Sequence, residues 1–266
     1  MIKVNQVKKD KTKYKVSFLF ENLEEVSFVV SEDLVVQYRL LRGKEFTDLA
    51  YKTFVKDQQM DEFYQKALRF ALQKQRSTHE VKEYLLKLDS QTLFVESIIL
   101  KLDKLTLLND EKYVTSILEI YFYQKRVGPL KLEELFKQKG IEPTLYKDAL
   151  FSIQEKDIIL NLELLFSKKL PTMKLQSIRK AMMQMKQFLY QKGYSLEVVS
   201  SFLLKHQSDF LSVIDEEKLL LLEMQKQQKK YSALELSTFE TKQKIIASFI
   251  RKGFQYQDIK KILERG

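Results

Sequence analysis

Apolar positions along this chain follow two different periods. Up to about residue 41 they partly alternate: "IKVNQVKK", "KYKVSFLF" and "EVSFVVS" are short, rich in Val, Phe and Tyr, and separated by the turns "KDKT" and Glu21-Asn22. Alternation sends successive side chains to opposite faces, so these stretches predict antiparallel strands with one face on a core. "EDLVVQYRLLRG" then predicts a short helix that stops at Gly43. From Phe46 onward the apolar residues recur at three and four, as in Ala67, Phe70 and Ala71, then Val81, Tyr84, Leu85 and Leu88. That is the helical period, and it runs to the end of the chain. Local signals mark the boundaries. Asn109-Asp110-Glu111 supplies a cap and first-turn acids, Pro171-Thr172 predicts another helix start, and Lys137, Lys139 and Gly140 predict a stop.

One clause of this helical text is written repeatedly. "YQKGYSLEVVSSFLLK" at 190–205 and "FIRKGFQYQDIKKILE" at 249–264 come into register at Ser195 and Gln255. The same template fits "FALQKQRSTHEVKEYLLK" at Ser77 and "YFYQKRVGPLKLEELFKQ" at Gly128. The four points lie 51, 67 and 60 residues apart, and each reads as a helix start. Ser77 with Glu80 is a capping box, and Gly128-Pro129 puts proline at the first helical position. Ser195 is a plain N-cap; Gln255 is a poor one, helped by Asp258. Val127, Tyr194 and Phe254 precede three of these caps and sit five residues before Leu132, Val199 and Ile259. That is the spacing of a hydrophobic staple, so the aromatics fix the angle at which the chain enters a helix rather than stacking on bases.

A lysine stands three residues before each point: Lys74, Lys125, Lys192 and Lys252. Two readings coexist. Each can meet the dipole at the C-terminal end of the preceding helix, or the four can form a row of outward cations. A period of 50–65 residues holds three helices, the size of a helix-turn-helix-like bundle. The predicted fold is therefore mainly α: a small N-terminal β-meander followed by an extended, curved array of tandem three-helix repeats. The expected divisions are a β-strand domain with its short helix over 1–45, a linker helix and first repeat over 46–108, and repeats over 109–170 and 171–236. A partial or capping repeat over 237–266 completes them.

Composition narrows the function. Six Gly and three Pro in 266 residues leave room for long regular elements, and 44% hydrophobic residues can fill more than one core. With no Cys, disulfides, zinc fingers and thiolate chemistry are excluded, and a reducing cytosol is the natural compartment. The start "MIKVNQVKKDK" lacks the apolar segment of a signal peptide, and no apolar run is long enough to span a membrane. A formal charge of +10 favours a polyanionic partner, although acids are mixed among the bases throughout. His79 and His206 have no second ligand at metal spacing. "RGKEF" at 42–46 lacks the first glycine and the hydroxyl of a phosphate loop. No catalytic, cofactor or metal residues are assigned.

Four stretches carry a resemblance: "RSTHEVKEYLLK", "LLNDEKYVTSI", "RVGPLKLEELFKQKGIE" and "FIRKGFQYQDIKKIL". In order and spacing they resemble the motifs of the bacterial regulatory protein RecX family, modulators of the RecA recombinase. The residues before Phe46 resemble the β-extension of its longer, Gram-positive-type members. Ser77 stands where threonine is usual, and Val127 where a small or basic residue is. The resemblance implies no enzyme. It implies a cytoplasmic protein, expected as a monomer away from membranes, that binds RecA or its single-stranded DNA filament. Its members generally inhibit ATPase, strand exchange and coprotease activity in recombination, repair and the SOS response, and weak direct DNA contact is a further expectation. The candidate contacts are Lys74, Arg76, Lys125, Arg126, Lys192, Arg251 and Lys252. A direct DNA-binding helix-turn-helix protein is the alternative. Against base readout, the helices after Ser77 and Gly128 carry Glu80, Glu83, Glu133 and Glu134, which would face phosphates.

Overall fold

The computed structural model describes residues 1–88, 92–231 and 238–265. It divides into two compact units, Met1–Tyr113 with Lys139–Glu142, and Val114–Gln138 with Pro143–Gly266.

The first unit opens with strands β1 (Ile2–Asp10), β2 (Lys13–Leu19) and β3 (Glu25–Val30). Helix α1 (Glu32–Gln37), strand β4 (Glu45–Phe46) and helix α2 (Asp48–Gln73) follow. The sheet is antiparallel in the order β3-β2-β1-β4. Val4, Val16, Phe18 and Val30 line its inner face. Helix α1 is shorter than the apolar pattern predicts. Arg39 takes a left-handed φ of 45° and the Leu40 amide donates to the Val35 carbonyl, a Schellman-type stop that swings Leu40 into the core. The chain can then add β4, which the sequence did not announce.

Helix α2 serves two cores. Its first two turns place Phe54 against Phe18, with ring centroids 4.9 Å apart, under the sheet. Its later turns place Ala67 against α3 (Thr78–Lys87) and α4 (Thr92–Lys104), with Val81, Leu85, Ile98 and Leu102 fully enclosed. Each such aliphatic side chain contributes about 1.5–3 kcal/mol when removed from water, which makes this trio of helices a core of its own. Helix α5 (Asp110–Ile117) starts where predicted, with the Asn109 side chain accepting from the Lys112 amide at 2.8 Å.

In the second unit a π-helical segment, Leu118–Gln124, prolongs α5. Wide turns disturb the carbonyl ladder. One displaced carbonyl, that of Phe122, accepts from the buried Asn161 side chain at 3.1 Å. Helices α6 (Pro129–Gln138) and α7 (Pro143–Phe151) stack Phe136 on Tyr146. Helix α8 (Glu155–Lys169) runs on through a 3-10 turn, Leu170–Met173, so Pro171 prolongs a helix instead of starting one. Proline is tolerated in that first turn, where its missing N–H is not needed. The next start is Ser177, ahead of α9 (Ile178–Gln191).

Helices α8 and α9, α10 (Leu196–Lys205) and α11 (Gln207–Val213) share a core that includes Leu162, Phe166, Met185, Val199 and Phe210. Helices α12 (Glu216–Tyr231), α13 (Thr238–Arg251) and α14 (Tyr256–Arg265) share another, with Leu220, Met224, Phe249 and Ile259. The division expected between residues 236 and 237 lies outside the described residues. The protein is thus mainly α with a small N-terminal antiparallel sheet. All four predicted helix starts are present, opening α3, α6, α10 and α14.

Candidate partner interface

The recurring helix starts belong to a device that spans far more sequence than a cap. In the first unit the Ser77 hydroxyl accepts from the Glu80 amide at 3.1 Å while Glu80 Oε2 accepts from the Ser77 amide, completing the predicted capping box. The same hydroxyl donates to the carbonyl of Lys139 at 2.7 Å. The next residue, Gly140, has φ +62°, and a Cβ there would lie 2.2 Å from His79 Cγ. A Lys-Gly turn is therefore seated on the start of a helix about sixty residues earlier.

The second unit repeats this twice. The Gly128 amide donates to the Lys192 carbonyl at 2.7 Å and the Leu130 amide to the Gly193 carbonyl at 3.0 Å. Gly193 has φ +98°, and an added Cβ would meet Lys131 Cβ at 2.4 Å. Farther on, the Ser177 hydroxyl donates to the Lys252 carbonyl at 2.7 Å, and Gly253, at φ +92°, leaves no space above Ser177 Oγ. Glycine is required because the left-handed backbone and the close approach both exclude a side chain.

The charges around the three turns differ. Glu80 gathers Lys139 at 2.7 Å, Arg76 at 3.7 Å and the Tyr113 hydroxyl at 3.1 Å. Burial tends to raise its pKa, but the bonds from Lys139, the Ser77 amide and Tyr113 outweigh that and hold it below the usual carboxylate range. Lys252 pairs with Glu223, and their hydrogen bond lowers the Glu223 pKa against the opposing effect of burial. Lys192 is different. Its ammonium lies 5.8 Å from the Phe188 ring centroid and forms no ion pair among the described residues.

The candidate contacts therefore separate. Lys74 is exposed at the end of α2. Arg76 is taken up by the fold: its guanidinium lies 3.8 Å over Phe70, which in turn stacks on Tyr84, besides its pairing with Glu80. Lys125 is exposed, 4.3 Å over the Tyr121 ring. Arg126 adopts φ 56°, donates to the Gln124 carbonyl at 3.2 Å, and accepts on its own carbonyl from the Tyr194 hydroxyl at 3.1 Å. Burial pushes the Tyr194 phenol up. Arg251 is exposed and donates to the Ala247 carbonyl one turn back.

Two of the four clauses thus meet directly, at Arg126–Gly128 and Lys192–Tyr194. They bring Lys125, Arg126 and Lys192 to one neighbourhood of the second unit. Lys131 joins them, donating to the Gln191 carbonyl at 3.2 Å. Lys131 and Ser177 escaped the sequence reading, and Lys139-Gly140 read as a helix stop without its seat on Ser77. The usable signal was a Lys-Gly pair ending a helix and a serine opening one. Tyr194 and Phe254 are buried, as staple residues should be.

Comparisons with known proteins agree with this architecture. A family model described as RecX, third three-helix domain, matches residues 161–203, which hold α9 and most of α10. The regulatory protein RecX of Streptococcus mutans serotype c is 30% identical over 267 aligned residues, covering 98% of each chain. That of Streptococcus gordonii is 29% identical with the same coverage. A crystal structure of regulatory protein RecX superposes with a TM-score of 0.61 at 23% identity, over 76% of this chain and 98% of that one. At that identity the likeness speaks for the fold. RecX from Lactobacillus salivarius gives a TM-score of 0.50 at 26% identity, over 55% and 95%.

Proposed function

The chain belongs to the RecX family of regulatory proteins, and on that premise we propose that it binds the RecA recombinase, chiefly as the RecA–single-stranded DNA filament, and inhibits it. The observation that carries this reading is the match along essentially the whole length of relatives named regulatory proteins. The activities restrained are recombinase, ATPase and coprotease, in recombination, repair and the SOS response. The protein acts by binding, in the cytoplasm, without a catalytic step or cofactor. Among the described residues no helix is long and apolar enough to cross a membrane.

The proposed domains are the N-terminal sheet with its helix, then tandem three-helix units. Such units suit a periodic partner because weak contacts repeated along one ligand multiply. Lys74, Lys125, Arg126, Lys192 and Arg251 are the proposed contacts; Arg76 and Lys252 support the fold around them.

Titrating the full chain into RecA, single-stranded DNA and ATP tests the reading. Inhibition of ATP hydrolysis is expected, together with co-sedimentation with the filament that exceeds retention on bare DNA. Equal affinity for bare strands and filament would favour the alternative, a direct DNA binder, to which the charge of +10 also points.

A further inference from the structure

The N-terminal sheet carries a feature that the repeats do not use. The β1–β2 hairpin, "VKKDKTKYK" over 7–15, holds five lysines, Lys8, Lys9, Lys11, Lys13 and Lys15, against the single acid Asp10. Lys8, Lys9, Lys11 and Lys15 are exposed and Lys13 is half-buried. None of the five forms an ion pair among the described residues, although Glu25, Glu32 and Asp33 stand exposed on adjoining elements. The strand β4 covers β1 only at Ile2 and Lys3, so among the described residues the outer edge of β1 near the turn has no neighbouring strand.

Two of these lysines occupy positions that weaken the hairpin. Lys8 and Lys15 are directly opposite each other across the β1–β2 ladder, where like charges repel. Lys11 sits in the turn at φ 53°, a conformation that favours Gly or Asn and strains a long side chain. Local choices that cost stability and all add positive charge point to a role outside folding.

We propose that this hairpin is an arm that binds the phosphate backbone of duplex DNA without reading sequence. The inference does not rest on RecA binding. The duplex carries one negative charge for about every 1.7 Å of its axis, and its major groove admits a two-stranded ribbon. The lysines lie on both faces and at the tip, as a ligand surrounding the ribbon requires. Lys8, Lys13 and Lys15 share the open face, Lys9 lies on the other, and Lys11 caps the turn. There is no Arg in the arm to fork onto a base. Its one aromatic, Tyr14, lies half-buried on the inner face with Lys9 5.4 Å from its ring centroid, so the arm lacks the row of rings on which successive bases of a single strand stack.

The test compares the full chain with a variant in which all five lysines are changed to Gln, using a labelled mixed-sequence duplex across a salt series. The wild type should bind with a steep salt slope. The variant should bind at least about ten-fold more weakly at low salt, and its slope should be smaller by about 0.9 for each phosphate that is no longer neutralised. Its melting temperature should hold or rise, because the Lys8–Lys15 repulsion is gone. A five-Arg variant keeps the charge and should keep the slope. Unchanged affinity and slope in the Gln variant, or abolished binding in the Arg variant, would overturn the proposal. So would a larger loss on single-stranded DNA than on duplex, or equal binding of poly-glutamate.

Discussion

The helix start at Ser77 and the one at Gly128 solve the same problem with different chemistry. Both receive a Lys-Gly turn from about sixty residues downstream, with the lysine carbonyl as acceptor and a left-handed glycine beside it. At Ser77 a side chain makes the bond, and the incoming lysine is neutralised by Glu80. At Gly128 the backbone amide makes it, and the incoming Lys192 meets no carboxylate among the described residues. The Ser177 contact lies between the two, with a serine donor and an ion pair supplied by a different helix. The constant parts are the carbonyl and the glycine. The charge on the lysine varies in use: it is paired within the fold at Lys139 and Lys252 and forms no ion pair among the described residues at Lys192.

Breaking the constant part should have the largest effect. Gly193→Ala puts a Cβ 2.4 Å from Lys131 Cβ and 2.8 Å from its amide nitrogen, at φ +98°. Left-handed strain and overpacking together should cost about 3 kcal/mol, read as a shift in the urea midpoint of the second unit. Gly140→Ala should destabilise the first unit comparably, since the clash reaches His79 Cβ and not only its ring. A loss below about 1 kcal/mol, the scale of one hydrogen bond, would show that the turns are not seated as described.

The varying part should respond more gently. Ser77→Ala removes an N-cap acceptor and a donor to Lys139 together, and about 2 kcal/mol is expected. Ser177 donates to Lys252 but makes no cap bond, so Ser177→Ala should cost about 1 kcal/mol. Equal losses at the two serines would erase the distinction.

The smallest effect separates the lysines. Lys252→Gln breaks the pair with Glu223 and should lower stability by about 0.2–1 kcal/mol. Lys192→Gln should leave melting unchanged and weaken filament binding with a flatter salt dependence. The reverse pattern in sedimentation and melting would return Lys192 to the fold.

These contrasts mark what could be read in advance. The capping box at Ser77, the staple residues Tyr194 and Phe254, and the four helix starts were legible because each signal lies within about five residues, the range of caps and staples. Arg76 read as a surface cation, yet it lies over Phe70 beside Glu80, because an arginine's stem and flat head pack as readily as they solvate. Pro171 read as a helix start because proline favours a first turn, and the first turn it occupies is that of a 3-10 extension.

Near neighbours and backbone sterics carry three of the four strands, the helical period, the four recurring helix starts and the glycines that end helices. It took the folded chain to bring Lys139 to Ser77, Lys192 to Gly128 and Lys252 to Ser177, and to divide the length of α2 between two cores. Those pairings join groups sixty or more residues apart. A carbonyl and a hydroxyl or amide donor are present in every candidate pair, so the choice among them falls to packing, which periodicity does not encode.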